Sequence, residues 1–396
     1  MTKIVNSWTE FQPLKRVILG RPEGTQVFAP EPGTMLDMPA GGFPLGTYGK
    51  FPQEMVDAAN EQMDYFCQVL ESRGIIVDRL TVHPYLREVN SFGTPDWTCL
   101  NFRGTNCPRD LFMPVGNEIM EAPGVLRTRW FEYLCLRPIF EQYFQEDPEF
   151  LWTSAPKPRL TDESYEKNYW YDLKNVWTEE EKRQRALDWK FVYTEKEPMW
   201  DAAAAARCGK DVIMSCGHAV NRPGMDWLKR YFGAKGIRFH HALWDTLEGP
   251  APTWGFGGGH IDVLLMPLRP GLFIHNPQKP IATPELLQLI KQNDWEIVEA
   301  ADPTHIYPGT LDVWGALGRP TNSWISMNTL SIDEKTVCVE AHELKYIDQL
   351  TKLGFEVLEI PYDKAELFGG ALHCTTIDVF REGTCEDYFP KQVPGY

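Results

Sequence analysis

The chain of 396 residues has little of what marks secreted, membrane or metal-binding proteins. Its opening residues contain no basic stretch followed by an apolar run, so we expect no signal peptide. No apolar run approaches the length of a membrane span. The nine cysteines form no Cys-x-x-Cys pair, and cysteines and histidines nowhere fall at zinc-ligand spacings. We therefore expect a cytoplasmic protein with reduced thiols and no metal.

Positive charge is also scarce. Lysine and arginine number 39 against 55 aspartates and glutamates, which gives a net charge of −16 at pH 7. An acidic chain of this kind disfavours nucleic acid and anionic membranes as partners, and the excess of acid is explained most simply by solubility. Hydrophobic residues make up 43% of the chain, which is enough for a large globular core.

A short apolar strand, a helix and a second strand recur five times along the chain. In the first unit a strand at 14–20 precedes a helix near 53–72, and a second strand begins at 74. The helix carries apolar residues at three- and four-residue spacing on one face: Met55, Ala59, Met63, Phe66 and Leu70. The later units open with strands at 110–115, 210–215, 271–275 and 335–340.

Five such units predict an α/β fold in which ββαβ-like blades follow one another around an axis. A doubly wound parallel sheet also alternates strands and helices and is the competing hypothesis. The cyclic form is favoured because no Gly-x-Gly-x-x-Gly turn follows the first strand, as a dinucleotide-binding sheet would usually require. In addition, the segments that link the units hold the most reactive side chains.

We expect one domain that covers residues 1–396. The composition turns acidic and aromatic near 160–198, which predicts an insertion on the outer surface, with a capping box at 178–181 before a charged helix. Residues 384–396 form a polar tail, which we expect to be loosely ordered.

The stretch at 368–379 offers a candidate nucleophile. Gly369 and Gly370 allow a sharp turn, and the β-branched run after them predicts a strand that carries Cys374. A free cysteine is more often a small buried apolar side chain. This segment therefore indicates a nucleophile only if other segments place suitable polar groups beside the thiol. Adjacent strand residues point to opposite faces, which predicts that His373 does not meet Cys374.

Three other segments supply those partners. A thiolate requires a nearby acid–base group, which His260 can supply, and Asp201 can orient and charge that imidazole. Asp110 and Asp262 are then two further carboxylates, which would repel the oxyanion of an ester or amide. They suit a planar cation, because a guanidinium donates N–H bonds in a fork that carboxylates accept. The set predicts attack by sulfur on a guanidinium carbon.

Each of these residues also has a simpler explanation. His260 in isolation is more typical of a satisfied strand histidine, Asp110 could neutralise Arg109, and Asp201 could cap a short helix. His260 and Asp262 share one strand face, because side chains alternate along a strand. A polar face next to an apolar run indicates that this end of the strand faces a cavity.

Seven motifs occur in an order that resembles the arginine-dependent amidinotransferases, the family of glycine and inosamine-phosphate amidinotransferases. They lie at 108–110, 115–122, 129–133, 153–158, 200–203, 260–262 and 369–374, and the resemblance covers nearly the whole chain. The opening and closing segments resemble most the cyanobacterial toxin-pathway members, the saxitoxin type more than the cylindrospermopsin type. The resemblance implies a five-bladed αβ propeller of the pentein type.

It also implies a ping-pong reaction that needs no cofactor. Cys374 would attack the guanidinium carbon of L-arginine while Asp110 and Asp262 hold its nitrogens. His260, paired with Asp201, would protonate the departing ornithine and later accept a proton from a small acceptor amine. Dimers occur in the family, so a homodimer is compatible with the sequence.

The sequence departs from the family pattern at four places. Ala204 replaces a second acidic residue, and three glycines at 257–259 precede His260. Lys279 aligns with the arginine that grips a substrate carboxylate, and lysine lacks the bidentate grip. Residues 322–323 replace a Ser-Lys pair. Donor and acceptor therefore stay open, as do two alternatives: a guanidine hydrolase or deiminase on the same scaffold, and a silent guanidinium-binding protein.

Overall fold

A computed structural model describes residues 3–27, 29, 31–33, 48–88, 91–244, 260–304 and 323–396 of the chain. The glycines at 257–259 and Asn322 lie outside the described residues. Among the described helices, none is both long and apolar enough to cross a membrane.

Five three-stranded sheets repeat one pattern within the described residues. In each, the first strand is antiparallel to the middle strand, and the middle strand is parallel to the third. The strands, in the order first, middle, third, are Thr376–Arg381, Leu14–Leu19 and Ile76–Arg79 in unit 1; Phe112–Val115, Glu118–Glu121 and Leu151–Ser154 in unit 2; Ala205–Cys208, Asp211–Ser215 and Arg238–Ala242 in unit 3; Leu265–Arg269, Leu272–His275 and Glu296–Glu299 in unit 4; Leu330–Ser331, Thr336–Glu340 and Glu356–Ile360 in unit 5.

A helix connects the middle strand to the third in every unit. These helices are Gln53–Ser72, Tyr133–Glu146, Arg222–Gly233, Pro284–Gln292 and Leu344–Lys352. The predicted α/β class is confirmed, and the doubly wound sheet is wrong, because no sheet of the described residues exceeds three strands. Outside the units lie the helices Pro84–Glu88, Tyr169–Asn175 and Glu179–Leu187, and two strand pairs, Gln26–Val27 with Gly49–Lys50 and Phe92–Thr94 with Trp97–Cys99.

The sequence periodicity explains how each unit packs. The unit 1 helix buries the predicted face, and Val56 joins it. Middle strands such as Asp211–Ser215 and Thr336–Glu340 are buried along their whole length, whereas the third strand Glu356–Ile360 is partly exposed. In the other units the predicted opening strand is the middle strand of the sheet, but in unit 2 the strand predicted at 110–115 is the first strand, Phe112–Val115. The middle strand of unit 2 follows it through a turn at Gly116.

Successive units are in contact, and unit 1 meets both unit 2 and unit 5. The first strands of units 1 and 2 touch, as do those of units 3 and 4, and unit 2 touches the turn that opens unit 3. The turns that open units 4 and 5 are also in contact. Arg381 of unit 1 donates from Nη2 to the carbonyl of Ser331 in unit 5 over 2.8 Å.

The predicted insertion and tail are more firmly anchored than expected. The helix Glu179–Leu187 begins at the predicted capping box and is largely exposed, but five side chains of the segment are buried with the unit 2 core: Leu160, Tyr165, Tyr169, Val192 and Tyr193. The expectation of a loosely ordered tail is wrong. Phe389 is fully buried and stacks on Trp295 with ring centroids 4.9 Å apart, and Lys210 donates its backbone N–H to the carbonyl of Glu386 over 2.9 Å.

Candidate active site

Polar side chains enter the site from one position that recurs in every unit, the turn just before the first strand. In units 2 to 5 this turn includes a 3-10 helix: Pro108–Leu111, Ala202–Ala204, Ile261–Val263 and Ser323–Met327. In unit 1 it is the turn at 372–375. Because the turns pack against one another, side chains distant in sequence lie close together.

These turns carry five of the sequence-predicted residues. Asp110 lies inside the unit 2 turn, Asp201 precedes the unit 3 turn, and Cys374 lies in the unit 1 turn. His260 and Asp262 belong to the unit 4 turn. All are buried except His260, whose side chain is 16% exposed.

Cys374 lies in a turn rather than on the predicted strand. The carbonyl of Ala371 accepts the N–H of Thr375 over 3.0 Å, that of His373 accepts the N–H of Thr376 over 3.1 Å, and the strand begins only at Thr376. The strand alternation assumed for His373 therefore does not apply. Both the His373 ring and the Cys374 thiol bond the same atom, Asp262 Oδ2, over 3.0 and 3.1 Å.

Asn328 holds the turn that carries the Cys374 thiol, a role that the sequence did not predict. Its Oδ1 accepts the backbone N–H groups of His373 and Cys374, each over 3.0 Å. Its Nδ2 donates to the sulfur of Cys374 over 3.1 Å. The signal that could have found it is its position next to the unit 5 turn, since the other site residues lie in or beside the corresponding turns of their units.

Burial controls the resting state of the thiol. Burial raises the pKa of Cys374 well above its ordinary value, and the carboxylate of Asp262 raises it further. The thiol is therefore protonated in the resting protein, and a positive charge beside the sulfur is needed to form the thiolate.

His260 stands between two carboxylates. Its Nε2 is 3.5 Å from Asp201 Oδ2, and its Nδ1 is 3.7 Å from Asp110 Oδ1. Burial lowers the pKa of His260, but Asp110 and Asp201 outweigh it and raise the pKa to about 9. At neutral pH the ring is consequently an imidazolium, which can donate a proton.

The two carboxylates near His260 differ. Burial raises the pKa of Asp201, although the hydrogen bond and charge of His260 oppose it. The pKa of Asp110 is lowered, because the nearby cations, Arg129 first and then His260, outweigh its burial. Arg129 also bonds Glu132 through Nε and Nη2, both over 2.7 Å, which fixes the guanidinium that holds Asp110.

Three buried carboxylate oxygens in the site accept no hydrogen bond from the described residues. They are Oδ1 of Asp110, Asp201 and Asp262. In each residue the other oxygen is taken by the protein: Arg129 bonds Asp110 Oδ2, His260 faces Asp201 Oδ2, and His373 bonds Asp262 Oδ2. A buried acceptor left without a donor costs about 1–3 kcal/mol, so each of these oxygens is suited to accept an N–H bond from a ligand.

Two sequence-predicted positions lie apart from these bonds. Lys279 follows the unit 4 middle strand, where its carbonyl lies 3.0 Å from His275 Nε2. Burial, and then the charge of Lys279, lower the pKa of His218 to about 4. Ala204 is fully buried in the unit 3 turn.

One group among the described residues has metal-ligand geometry. Atoms of Glu340, His342 and Asp363 lie within 4.8 Å of one another. Glu340 Oε1 already lies 2.8 Å from His342 Nδ1, and Asp363 accepts from Lys364 over 2.7 Å. These internal pairs satisfy the group, so it does not indicate a metal centre.

Known proteins of similar sequence extend over nearly the full chain. The mitochondrial glycine amidinotransferase of Xenopus laevis is 33% identical over 397 residues, which cover 97% of this chain and 85% of the relative. The L-arginine:L-lysine amidinotransferase of Pseudomonas savastanoi pv. phaseolicola is 32% identical over 392 residues, which cover 98% of this chain and 97% of the relative. A comparison with protein-family models finds no match.

A solved structure agrees with these relatives. SxtG, an amidinotransferase from Microseira wollei in the saxitoxin biosynthetic pathway, superposes with a TM-score of 0.79 at 32% identity, covering 97% of this chain and 99% of its own. The chain belongs to the amidinotransferase family and is an enzyme of that class, as its motifs predicted.

Proposed function

We propose that this amidinotransferase moves the amidino group of L-arginine to a small primary amine through an intermediate on Cys374. The observation that carries the proposal is the set of three carboxylate oxygens that accept no hydrogen bond from the described residues, beside a thiol and an imidazolium. Asp110 and Asp262 have lowered pKa values and are anionic at neutral pH, so they attract a guanidinium. No other common biological group combines a positive charge with five N–H donors in one plane.

The first half-reaction forms a bond between sulfur and carbon and breaks a bond between carbon and nitrogen. The guanidinium charge favours the Cys374 thiolate, which attacks the guanidinium carbon. His260 gives its proton to the departing nitrogen, ornithine leaves, and the proton released by the thiol restores the imidazolium. An amidino-thioether remains on Cys374.

The second half-reaction is the reverse, with a different amine. The acceptor nitrogen bonds the amidino carbon, the bond to sulfur breaks, and a proton of the amine reaches the sulfur through His260. We propose a natural-product acceptor of the toxin-pathway kind, since the SxtG likeness extends over the whole chain. Lys279 is our candidate for the group that meets a substrate carboxylate as a point charge.

We further propose that the five units close into a five-bladed αβ propeller of the pentein type. Contacts from each unit to the next, and from unit 5 back to unit 1, support this arrangement. All nine cysteines are free, which favours a cytoplasmic location. A homodimer is proposed from the family alone, and light scattering of the purified protein tests it.

Arginine labelled in its guanidinium carbon tests the reaction. We expect intact-protein mass spectrometry to find one labelled amidino group, mapped to Cys374, with ornithine released in equal amount. Cys374→Ser should abolish the adduct while the circular dichroism spectrum is retained. The control Cys385→Ser, at a half-buried thiol in the tail, should leave it unchanged.

Three other outcomes would contradict the proposal. Citrulline without a lasting adduct would identify a hydrolase or deiminase. An adduct on another cysteine would mean that the nucleophile is misassigned. Neither adduct nor products, with arginine bound, would identify a silent guanidinium-binding protein.

A further inference from the structure

His373 lies between two buried carboxylates, one in the site and one behind it. Its Nδ1 is 3.0 Å from Asp262 Oδ2, and its Nε2 is 3.2 Å from Glu10 Oε2. The residue is 2% exposed, so water does not replace either partner. A carboxylate oxygen only accepts, so both ring nitrogens have to donate, and only the doubly protonated imidazolium has two N–H donors.

Glu10 is an ionised partner. Arg207 bonds it through Nε and Nη2, each over 2.7 Å, and Arg109 Nη1 lies 3.6 Å from Oε2. These cations and His373 lower the pKa of Glu10 well below its ordinary value despite burial. Arg109 also donates from Nε to the carbonyl of His373 over 2.7 Å, so the backbone and the ring of His373 are both fixed.

Asp262 is the connection between His373 and the nucleophile. Its Oδ2 accepts from both His373 and Cys374, whereas its buried Oδ1 accepts no hydrogen bond from the described part of the chain. A neutral residue at 373 would remove a positive charge from beside Asp262. The Asp262 carboxylate would then be held less firmly next to the thiol and the other carboxylates of the site. The charged groups that face His373 are thus Asp262, Glu10 and Arg109, together with the thiol of Cys374.

We propose that His373 is a positioning residue that stays doubly protonated, fixes Asp262 with Oδ1 toward the guanidinium, and supplies the positive charge that favours the Cys374 thiolate. This inference rests on the proposed function in one respect, the assignment of Cys374 as the nucleophile. It gives a role to the residue that strand alternation had set aside.

The rate of Cys374 alkylation against pH tests the proposal without any substrate. Iodoacetamide is applied between pH 6 and pH 10, and the modified peptide is quantified by mass spectrometry. His373→Gln replaces the cation by a neutral amide of similar reach. Because the pKa of Cys374 is raised well above its ordinary value, the thiol stays largely protonated over this range and the rate reports the small thiolate fraction. We expect the rate at each pH to fall about tenfold in the variant, because a nearby opposite charge shifts a pKa by about 1–3 units.

His240→Gln is the matched control. His240 is as buried as His373, and its Nε2 also bonds a carboxylate, Asp211 Oδ1, over 2.8 Å, but it lies on the third strand of unit 3. This variant should lower stability and leave the alkylation rate unchanged. Equal rates for His373→Gln and the wild type would overturn the proposal, as would an equal decrease in both variants.

A second measurement uses the wild-type protein, in case His373→Gln does not fold. Histidine ring nitrogens labelled with ¹⁵N are observed by NMR at pH 8, with the His373 ring assigned through its backbone. Two protonated ring nitrogens are expected, and a single one would overturn the proposal. Neither measurement uses arginine. A missing amidino adduct would therefore refute the proposed function, whereas this inference is decided by the alkylation and NMR results.

Discussion

Asn328 shows how much of the site depends on a single side chain without reactive chemistry. The carboxylates and His260 could be predicted because their charge suggests a use, and the structure brings them together around three open oxygens. The side-chain amide of Asn328 carries no charge that would suggest a use. Its role follows only from the position of the unit 5 turn in the folded protein. His373 was missed for another reason, since strand alternation was applied to residues that form a turn.

Asn328→Ala is expected to slow the first half-reaction about 10- to 100-fold. The substitution removes the N–H donor to the sulfur, and a hydrogen bond to a charged group is worth about 1.5–3 kcal/mol. Rapid-quench measurement of adduct formation gives the rate. Asn101→Ala is the control, because Asn101 is equally buried but bonds the backbone of Val27 and Ala29. Similar rates in both variants would contradict the role given to Asn328.

The charge on His260 predicts a pH-dependent stability. Its pKa rises from 6.5 to about 9 on folding, so its contribution is complete below pH 6.5 and is lost as pH rises through 9. The contribution amounts to at most about 3 kcal/mol. Urea unfolding of the wild type and His260→Asn should give a difference that shrinks from pH 6 to pH 9.5. A difference independent of pH would show that the ring is neutral when folded.

At the scale of elements, the helices were predictable and the turns were not. The unit 1 helix repeats its apolar side chains over five turns, so its boundaries and buried face follow from the sequence. First strands such as Leu330–Ser331 are too short to show any periodicity. The 3-10 turns depend on contacts between units, which a local pattern does not contain.

Gly370 gives a test of the turn that presents the thiol. A methyl group at this position would clash with the side chain of Cys374 and come within 2.7 Å of Cys107 Sγ. Gly370→Ala should therefore displace the sulfur and lower turnover at least tenfold, with a loss of stability of about 1–3 kcal/mol. In Gly233→Ala the methyl group meets no atom within 4 Å, so turnover should be unchanged. Full activity of Gly370→Ala would mean that the turn adapts.

At the scale of the whole molecule, the segments before residue 14 and after residue 383 tie the units together. Backbone bonds join Ser7 to Gly116 in the turn of unit 2, and Glu10 donates to the carbonyl of Arg207 in unit 3. The tail crosses from unit 3, where it meets Lys210, to unit 4, where Phe389 is buried. The polar composition of the tail predicted neither attachment. Burial of a single aromatic ring contributes more to stability than many exposed polar residues do.

Phe389→Ala should lower the free energy of unfolding by about 3–5 kcal/mol, the usual cost of removing a buried aromatic ring. Phe144→Ala removes the same group from a site that is 62% exposed, and it should change stability by no more than about 0.5 kcal/mol. Denaturant unfolding measures both variants. If Phe389→Ala changed the free energy of unfolding no more than Phe144→Ala does, burial of the tail would contribute nothing to stability.

Unit 1 joins strands from opposite ends of the described chain, since Leu14–Leu19 pairs with Thr376–Arg381. During synthesis the strand Leu14–Leu19 leaves the ribosome early. Its edge toward Thr376–Arg381 stays unpaired until the other four units have been made. Cys374 is made just before that last strand, two residues ahead of it. A ribosome-bound chain that stops short of residue 374 therefore contains the carboxylates and the imidazole without the thiol that we propose as the nucleophile, and we expect it to be inactive until the last strand is made.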